Sequence, residues 1–119
     1  MKETRSEKSY TIRFKVDNPI SEQEAVKSIE ALSGVTLEQE TPKRVSHRRA
    51  AKTRKRRVTS ISNILVEEDE IQFSLRCEAG TYVKELVHSD EGRTSPSVSS
   101  VIERECVVLW LDVDEIHAD

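Results

Sequence analysis

The side chain best situated for chemistry in this sequence is Lys84. It follows Gly80-Thr81-Tyr82-Val83, and before that run residues 71–77 alternate apolar and polar as a half-buried strand does. Gly80 permits a sharp turn that a Cβ would hinder. Thr81 is expected to cap the helix that starts there, its hydroxyl accepting from a backbone N–H of the first turn. A cation in a helix's first turn opposes the helix dipole, so a nearby anion would help to hold Lys84 in position. Tyr82 and Leu86 are candidates for an apolar wall beside it, with ordinary core packing the competing use; Val83 reads as core. His88 and Asp90 are an acid/base pair by type, although a His-Ser-Asp run at a helix-to-loop transition also serves for caps and turn hydrogen bonds. Arg93 either holds a phosphate or buttresses Asp90.

A second constellation is electrostatic. Residues 43–57 hold Lys43, Arg44, Arg48, Arg49, Lys52, Arg54, Lys55, Arg56 and Arg57 with no acid among them. These are nine of 19 basic residues, which leaves ten basic against 22 acidic elsewhere in a chain of net charge −3. That balance excludes a protein basic all over. It describes a local cationic arm on an acidic body, with His47 in its midst. Several guanidinium groups can take phosphates bidentately, and RNA contact is preferred here over a merely solvated charge run.

The elements that must position these groups can be read in outline. The chain's 119 residues suffice for one modest domain. Residues 1–8 read as a disordered edge. Residues 9–16 alternate cleanly, with Tyr10, Ile12, Phe14 and Val16 on one face. Ser21 and Glu24 form a capping box for a helix carrying Ala25, Val26, Ile29 and Leu32, which Gly34 ends. Residues 35–39 are a short extended piece and 43–57 a basic loop. Strands at 59–66 and 71–77 pair as a hairpin. After the Tyr82 helix come a loop over 89–96, a short helix from Ser97, and a last strand at 106–113. The class is α+β, with a mixed, largely antiparallel sheet and short helices. The polar N-terminus lacks a signal-peptide centre, and no apolar run is long enough to span a membrane. Cys77 and Cys106 are expected as buried reduced thiols of a cytoplasmic protein. No His/Cys spacing suits a metal, and no cofactor is implied.

The strand, the Gly80-Thr81-Tyr82 turn and the helix with Lys84 resemble the third motif of pseudouridine synthases. The continuation from Glu85-Leu86-Val87-His88-Ser89-Asp90-Glu91-Gly92-Arg93-Thr94 to Ser97 narrows this to the C-terminal end of the Pus10-type tRNA pseudouridine synthases. Thr41-Pro42 with Arg44-Val45 and His47-Arg48-Arg49-Ala50 is similar to the same family, as is Lys8-Ser9-Tyr10 more loosely. The likeness runs from about Tyr10 to about Val113.

The resemblance implies the C-terminal half of a catalytic domain that isomerises uridine to pseudouridine in the TΨC arm of tRNA. It implies that Tyr10 stacks on the target base, although aromatics at strand ends usually pack in cores. Lys84 would pair with the catalytic aspartate and keep it ionised. Tyr82 and Leu86 would border the base. Residues 43–57 would be a thumb-like loop gripping the tRNA through Lys43, Arg44, His47, Arg48, Arg49, Lys52 and Arg54, with Arg93 assisting. The family's nucleophilic aspartate precedes the Tyr10 strand, and neither Asp17 nor Asp90 stands in its context. The expectation is therefore a part that is inactive alone and needs an N-terminal segment or subunit bearing that aspartate. A non-catalytic RNA-binding module and a protein-interaction domain with a basic docking loop are the alternatives.

Overall fold

The computed structural model of the chain describes residues 6–48 and 50–117. Six strands form one sheet in the order β5-β2-β3-β4-β1-β6, and every neighbouring pair is antiparallel. In chain order the elements are β1 (Glu7–Val16), α1 (Glu22–Glu30), β2 (Thr36–Glu40), a single 3-10 turn (Lys43–Val45) and β3 (Thr53–Glu67), followed by β4 (Glu70–Glu78), α2 (Val83–His88), β5 (Thr94–Ser95), α3 (Val98–Ile102) and β6 (Cys106–His117). This is the expected α+β architecture with a largely antiparallel sheet.

The alternation of β1 and β4 divides the sheet into two faces. Ile12, Phe14, Ile71 and Phe73 are fully buried on one of them, and Phe14 meets Phe73 edge-on at 6.0 Å between ring centroids. The helices complete this core with Ala25, Ile29, Leu86, Val87, Val98 and Ile102. The opposite face is polar. There Arg13 forks between Glu67 and Glu70 and also donates to Gln72. Helix α1 starts at the expected Ser21 cap, with the Glu24 N–H donating to the Ser21 hydroxyl at 3.2 Å, but the return bond from the Glu24 side chain that would complete a capping box is not formed. Helix α3 starts with a reciprocal box between Ser97 and Ser100.

Three boundaries differ from the sequence reading. Strand β1 begins at Glu7, so Glu7 and Lys8 are not a disordered edge, while residues 1–5 lie outside the described residues. They are strand because β4 and β6 pair with them on both sides, Glu7 facing Glu78 and His117. The Glu7 carboxylate accepts from Thr59 and from Arg76, and these bonds hold its pKa below the usual range. Strand β3 begins at Thr53, so residues 53–57 are not loop. Their partner is β2, whose register sets Glu38 opposite Lys55; opposite charges across a ladder favour strand where a run of cations alone would not. Strand β6 continues to His117, carried past Val113 by its pairing with the start of β1.

Both cysteines are free and buried. Burial pushes the Cys77 thiol up to about 11 and the Cys106 thiol up to about 12. Among the described residues no helix is long and apolar enough to cross a membrane, and no cluster of His, Cys, Asp and Glu is arranged to hold a metal.

The thiols generate the first prediction. In mildly alkaline buffer, Ellman's reagent should label Cys77 and Cys106 only as fast as the protein unfolds, and at once in concentrated guanidinium chloride. The folded state binds these protons more tightly than the unfolded state, so the thiols' contribution to stability should be lost as pH rises from 9.0 towards 11. Fast labelling of the native protein would contradict the burial.

Candidate functional site

Helix α2 is six residues long, too short to stand alone in water. Its N-terminus is held from β2. Within β2 the inward positions are Leu37 and Gln39, both fully buried. The Gln39 amide oxygen accepts from the Tyr82 N–H at 3.0 Å, while its nitrogen donates to the Tyr82 carbonyl at 2.9 Å and to Thr94 Oγ1 at 3.2 Å. One side chain thus pairs with a whole peptide edge. Thr81 does not cap the helix as expected. Its hydroxyl turns back to the Glu78 carbonyl at 2.6 Å, tightening the turn, and Tyr82 occupies the cap position with no side-chain cap. Gly80 has φ +87, and a Cβ there would lie 3.3 Å from Arg56 Nε.

Successive helix residues are about 100° apart, so Lys84 and Glu85 flank the buried Val83, Leu86 and Val87 face on opposite sides. Lys84 is exposed and borders an open cleft of about 550 Å³ with His88 and the first half of β6, including Val107, Trp110 and Leu111. No carboxylate of the described residues pairs with it. Glu85 is only 2% exposed and takes Arg44 in a fork, Nε to Oε2 at 2.7 Å and Nη2 to Oε1 at 3.3 Å. These hydrogen bonds hold the Arg44 pKa above its ordinary value. His88 Nε2 stands 4.0 Å from the same carboxylate, and His88 Nδ1 accepts from the Asp90 N–H at 3.0 Å. Asp90 Oδ2 accepts from the Lys43 N–H at 2.9 Å. His88 thus serves the local turn, the second of the two uses open to it in the sequence, while the Asp90 carboxylate ties that turn to the start of the basic segment.

The remaining candidates divide into groups. Tyr82 is half-buried and lines a cationic hollow with Arg44, Val45 and Arg48; it does not border the Lys84 cleft, contrary to expectation. Leu86 is completely buried and is core, not an exposed pocket wall, because so short a helix is held to the sheet by its whole apolar face. Tyr10 is 8% exposed and belongs to the same core, on the sheet face that α2 covers. It does not line the Lys84 cleft, whose Leu111 pairs with Ile12, two residues along β1. Beyond Tyr10 the helical cover ends, and its cross-strand partner Val113 is 57% exposed.

The basic segment is also divided. Lys43, Arg44, His47 and Arg48 lie in or just after the 3-10 turn, Lys52 precedes β3 and Arg54 is inside it; Arg49 lies outside the described residues. Thr41 closes the base of the excursion, donating to the Ala50 carbonyl at 2.9 Å and accepting from the Lys52 N–H at 3.0 Å. Lys52 and Arg93 line one open cleft of about 440 Å³. Arg93 also reaches the Asp90 carbonyl and lies near Glu91. Arg54 faces Gln39 across the β2–β3 ladder, and its Nη1 is buried without a hydrogen-bond partner among the described residues.

The profile of the family described as "Pus10, C-terminal" matches residues 1–117. The chain belongs to this family. It is 37% identical over 116 residues to the tRNA pseudouridine synthase Pus10 of Methanocaldococcus jannaschii, covering 98% of this chain and 26% of that protein. It is 38% identical over 96 residues to the protein of that name from Xenopus laevis, covering 81% of this chain and 19% of that one. The chain thus spans about a quarter of the length of the curated relatives it matches. Among solved structures, a chain from the crystal structure of a Cbf5-Nop10-Gar1 complex matches with TM-score 0.74 at 20% identity, over 94% of this chain and 31% of that chain. A chain of an H/ACA RNP bound to a substrate RNA containing 2'-deoxyuridine matches with TM-score 0.67 at 17% identity, over 94% of this chain and 29% of that chain. At those identities the likeness is one of fold.

For this Pus10 C-terminal domain, Gln39 and Glu85 are the site residues that sequence reasoning did not single out. Gln39 carried a signal: it lies two residues from Leu37 in an extended piece, on the same face. Gln39→Leu should lower stability by about 2 kcal/mol, the usual cost of leaving buried backbone groups unpaired, and Gly80→Ala by about 1–2 kcal/mol through its left-handed φ. Urea denaturation checks both. A neutral Gln39→Leu would mean that α2 does not rely on this amide.

Proposed function

We propose that this chain is the C-terminal part of the catalytic domain of a tRNA pseudouridine synthase, acting in the cytoplasm on a uridine of the TΨC arm. The reaction breaks the bond from uracil nitrogen to ribose, turns the ring and forms a bond from C5 to the same ribose carbon. A proton leaves C5 and one is gained at nitrogen, so the formula is unchanged and no oxidant or cofactor is called for. The nucleophile is an aspartate on a segment or subunit outside this chain, and Lys84 is its electrostatic partner.

The observation that carries this reading is the setting of Lys84. A short helix braced by Gln39 holds it at a cleft on the sheet face that also carries Tyr10, without a carboxylate of its own among the described residues. The cleft is continuous with edge strand β6, where Val107, Leu109, Trp110 and Val113 are 40–64% exposed. That edge suits the aspartate-bearing segment, since an unpaired strand edge with apolar side chains favours pairing with another strand. Tyr10 keeps the base-stacking role as part of this proposal: it lies at the limit of the helical cover, and stacking requires its buried ring to be uncovered. The tRNA phosphates are gripped by Lys43, His47, Arg48, Arg49, Lys52, Arg54 and Arg93. Among these Arg48 and Lys52 are exposed and within reach of a phosphate, whereas Arg54 is half-buried in the strand and contributes charge from β3.

Two measurements test this on a full-length enzyme. Lys84→Met should lower single-turnover isomerisation by about 10²-fold, the usual cost of removing one preorganised electrostatic group, with tRNA affinity unchanged. Arg48→Glu with Arg54→Glu should weaken tRNA binding and flatten its salt dependence by roughly one in slope per lost phosphate contact. Undiminished turnover by Lys84→Met would refute the assigned role. tRNA binding without turnover even by the full-length parent would favour a non-catalytic RNA-binding module.

A further inference from the structure

Arg44 belongs by sequence to the cationic run, yet its guanidinium is already engaged. Both oxygens of Glu85 accept from it, at 2.7 and 3.3 Å, and Glu85 is 2% exposed whereas Arg44 is 52% exposed. A phosphate drawing Arg44 away would leave a carboxylate buried without its counter-charge, a costly state. A second contact holds the same turn, since the Lys43 N–H donates to Asp90 Oδ2 at 2.9 Å. The 3-10 turn that begins the basic segment is therefore tied to α2 at its middle, through Glu85, and just past its end, through Asp90. The residue before Glu85 is Lys84, and His88 Nε2 lies 4.0 Å from the Glu85 carboxylate on the way to the Lys84 cleft.

We propose that Arg44 is a positioning residue and not a phosphate contact: with Glu85 it couples the RNA-facing basic segment to the helix that carries Lys84. This rests on the function proposed above. The pair fixes the rotation of α2, directing Glu85 towards the basic segment and Lys84 towards β6. Arg48 remains free to meet RNA from the same turn, and an RNA bound there stiffens α2 through Arg44. The segment thus transmits as well as grips.

The test is a double-mutant cycle of Arg44→Gln, Glu85→Gln and the pair in a full-length enzyme, with Arg44→Lys as the conservative variant. Three quantities are read: single-turnover rate, tRNA affinity, and hydrogen exchange of the Val45, Ser46 and Arg48 amides. Each single variant should slow turnover about tenfold with tRNA affinity within twofold of the parent, and the pair should be no slower than either alone. The three amides should exchange about tenfold faster in both single variants, and Arg44→Lys should recover part of both effects. The exchange arm does not depend on activity, so it still decides the coupling if the parent proves not to isomerise uridine. A loss of tRNA affinity above tenfold in Arg44→Gln but not in Glu85→Gln, or additive effects in the pair, would overturn the proposal and make Arg44 an ordinary phosphate contact.

Discussion

The fold's working end depends on one buried amide. Gln39 sits where a β-strand would normally present an apolar side chain, and it satisfies the N–H and C=O of Tyr82 together. A six-residue helix has too few internal hydrogen bonds to offset the cost of starting it. Its existence follows from this anchor and from Val83, Leu86 and Val87, all buried against the sheet. The same strand, β2, recruits residues 53–57 into β3. The helix bearing Lys84 and the cationic strand therefore share one brace, and the brace lies in the least conspicuous stretch of the sequence.

From that anchor the two sides of α2 diverge. On one side Glu85 is enclosed by the 3-10 turn and neutralised by Arg44. On the other Lys84 stays at an open cleft beside β6. Helix geometry alone makes the two residues equivalent flankers of an apolar face. What distinguishes them is which neighbour arrives: a turn held by Thr41, Asp90 and Glu85 on one side, and an edge strand with an open cleft on the other. A carboxylate can be buried here because an arginine fork meets both of its oxygens. A lysine with no such partner among the described residues keeps its hydration.

Much of this was legible in the residues. Period-two alternation located β1 and β4, the Ser21 cap located α1, and the run from Gly80 to Ser97 carried the family. Where the reading failed, long-range pairing was the reason. Nothing within residues 53–57 indicates strand; the acids that make strand favourable there are on β2. Glu7 and Lys8 look like an edge until β4 and β6 are laid against them. Thr81 has the type and spacing of a cap, but the carbonyl of Glu78 lies closer to its hydroxyl than any helix N–H. Leu86 could not be assigned to wall or core by periodicity, since both uses need the same apolar position.

The charge distribution has a physical logic of its own. Nine cations in fifteen residues repel one another, and an acidic body offers them relief at defined points only. Arg44 finds Glu85, and Lys55 faces Glu38 across the ladder. Arg54, opposite Gln39 in the ladder, finds no acceptor for its Nη1 among the described residues. The segment is thus held by some of its charges while others are left for an external anion. Under the proposed function this division matters more than the total charge. A grip built of free cations alone would bind any polyanion and report nothing to the chemistry, whereas one fastened to α2 changes the mobility of the Lys84 helix whenever it closes on RNA.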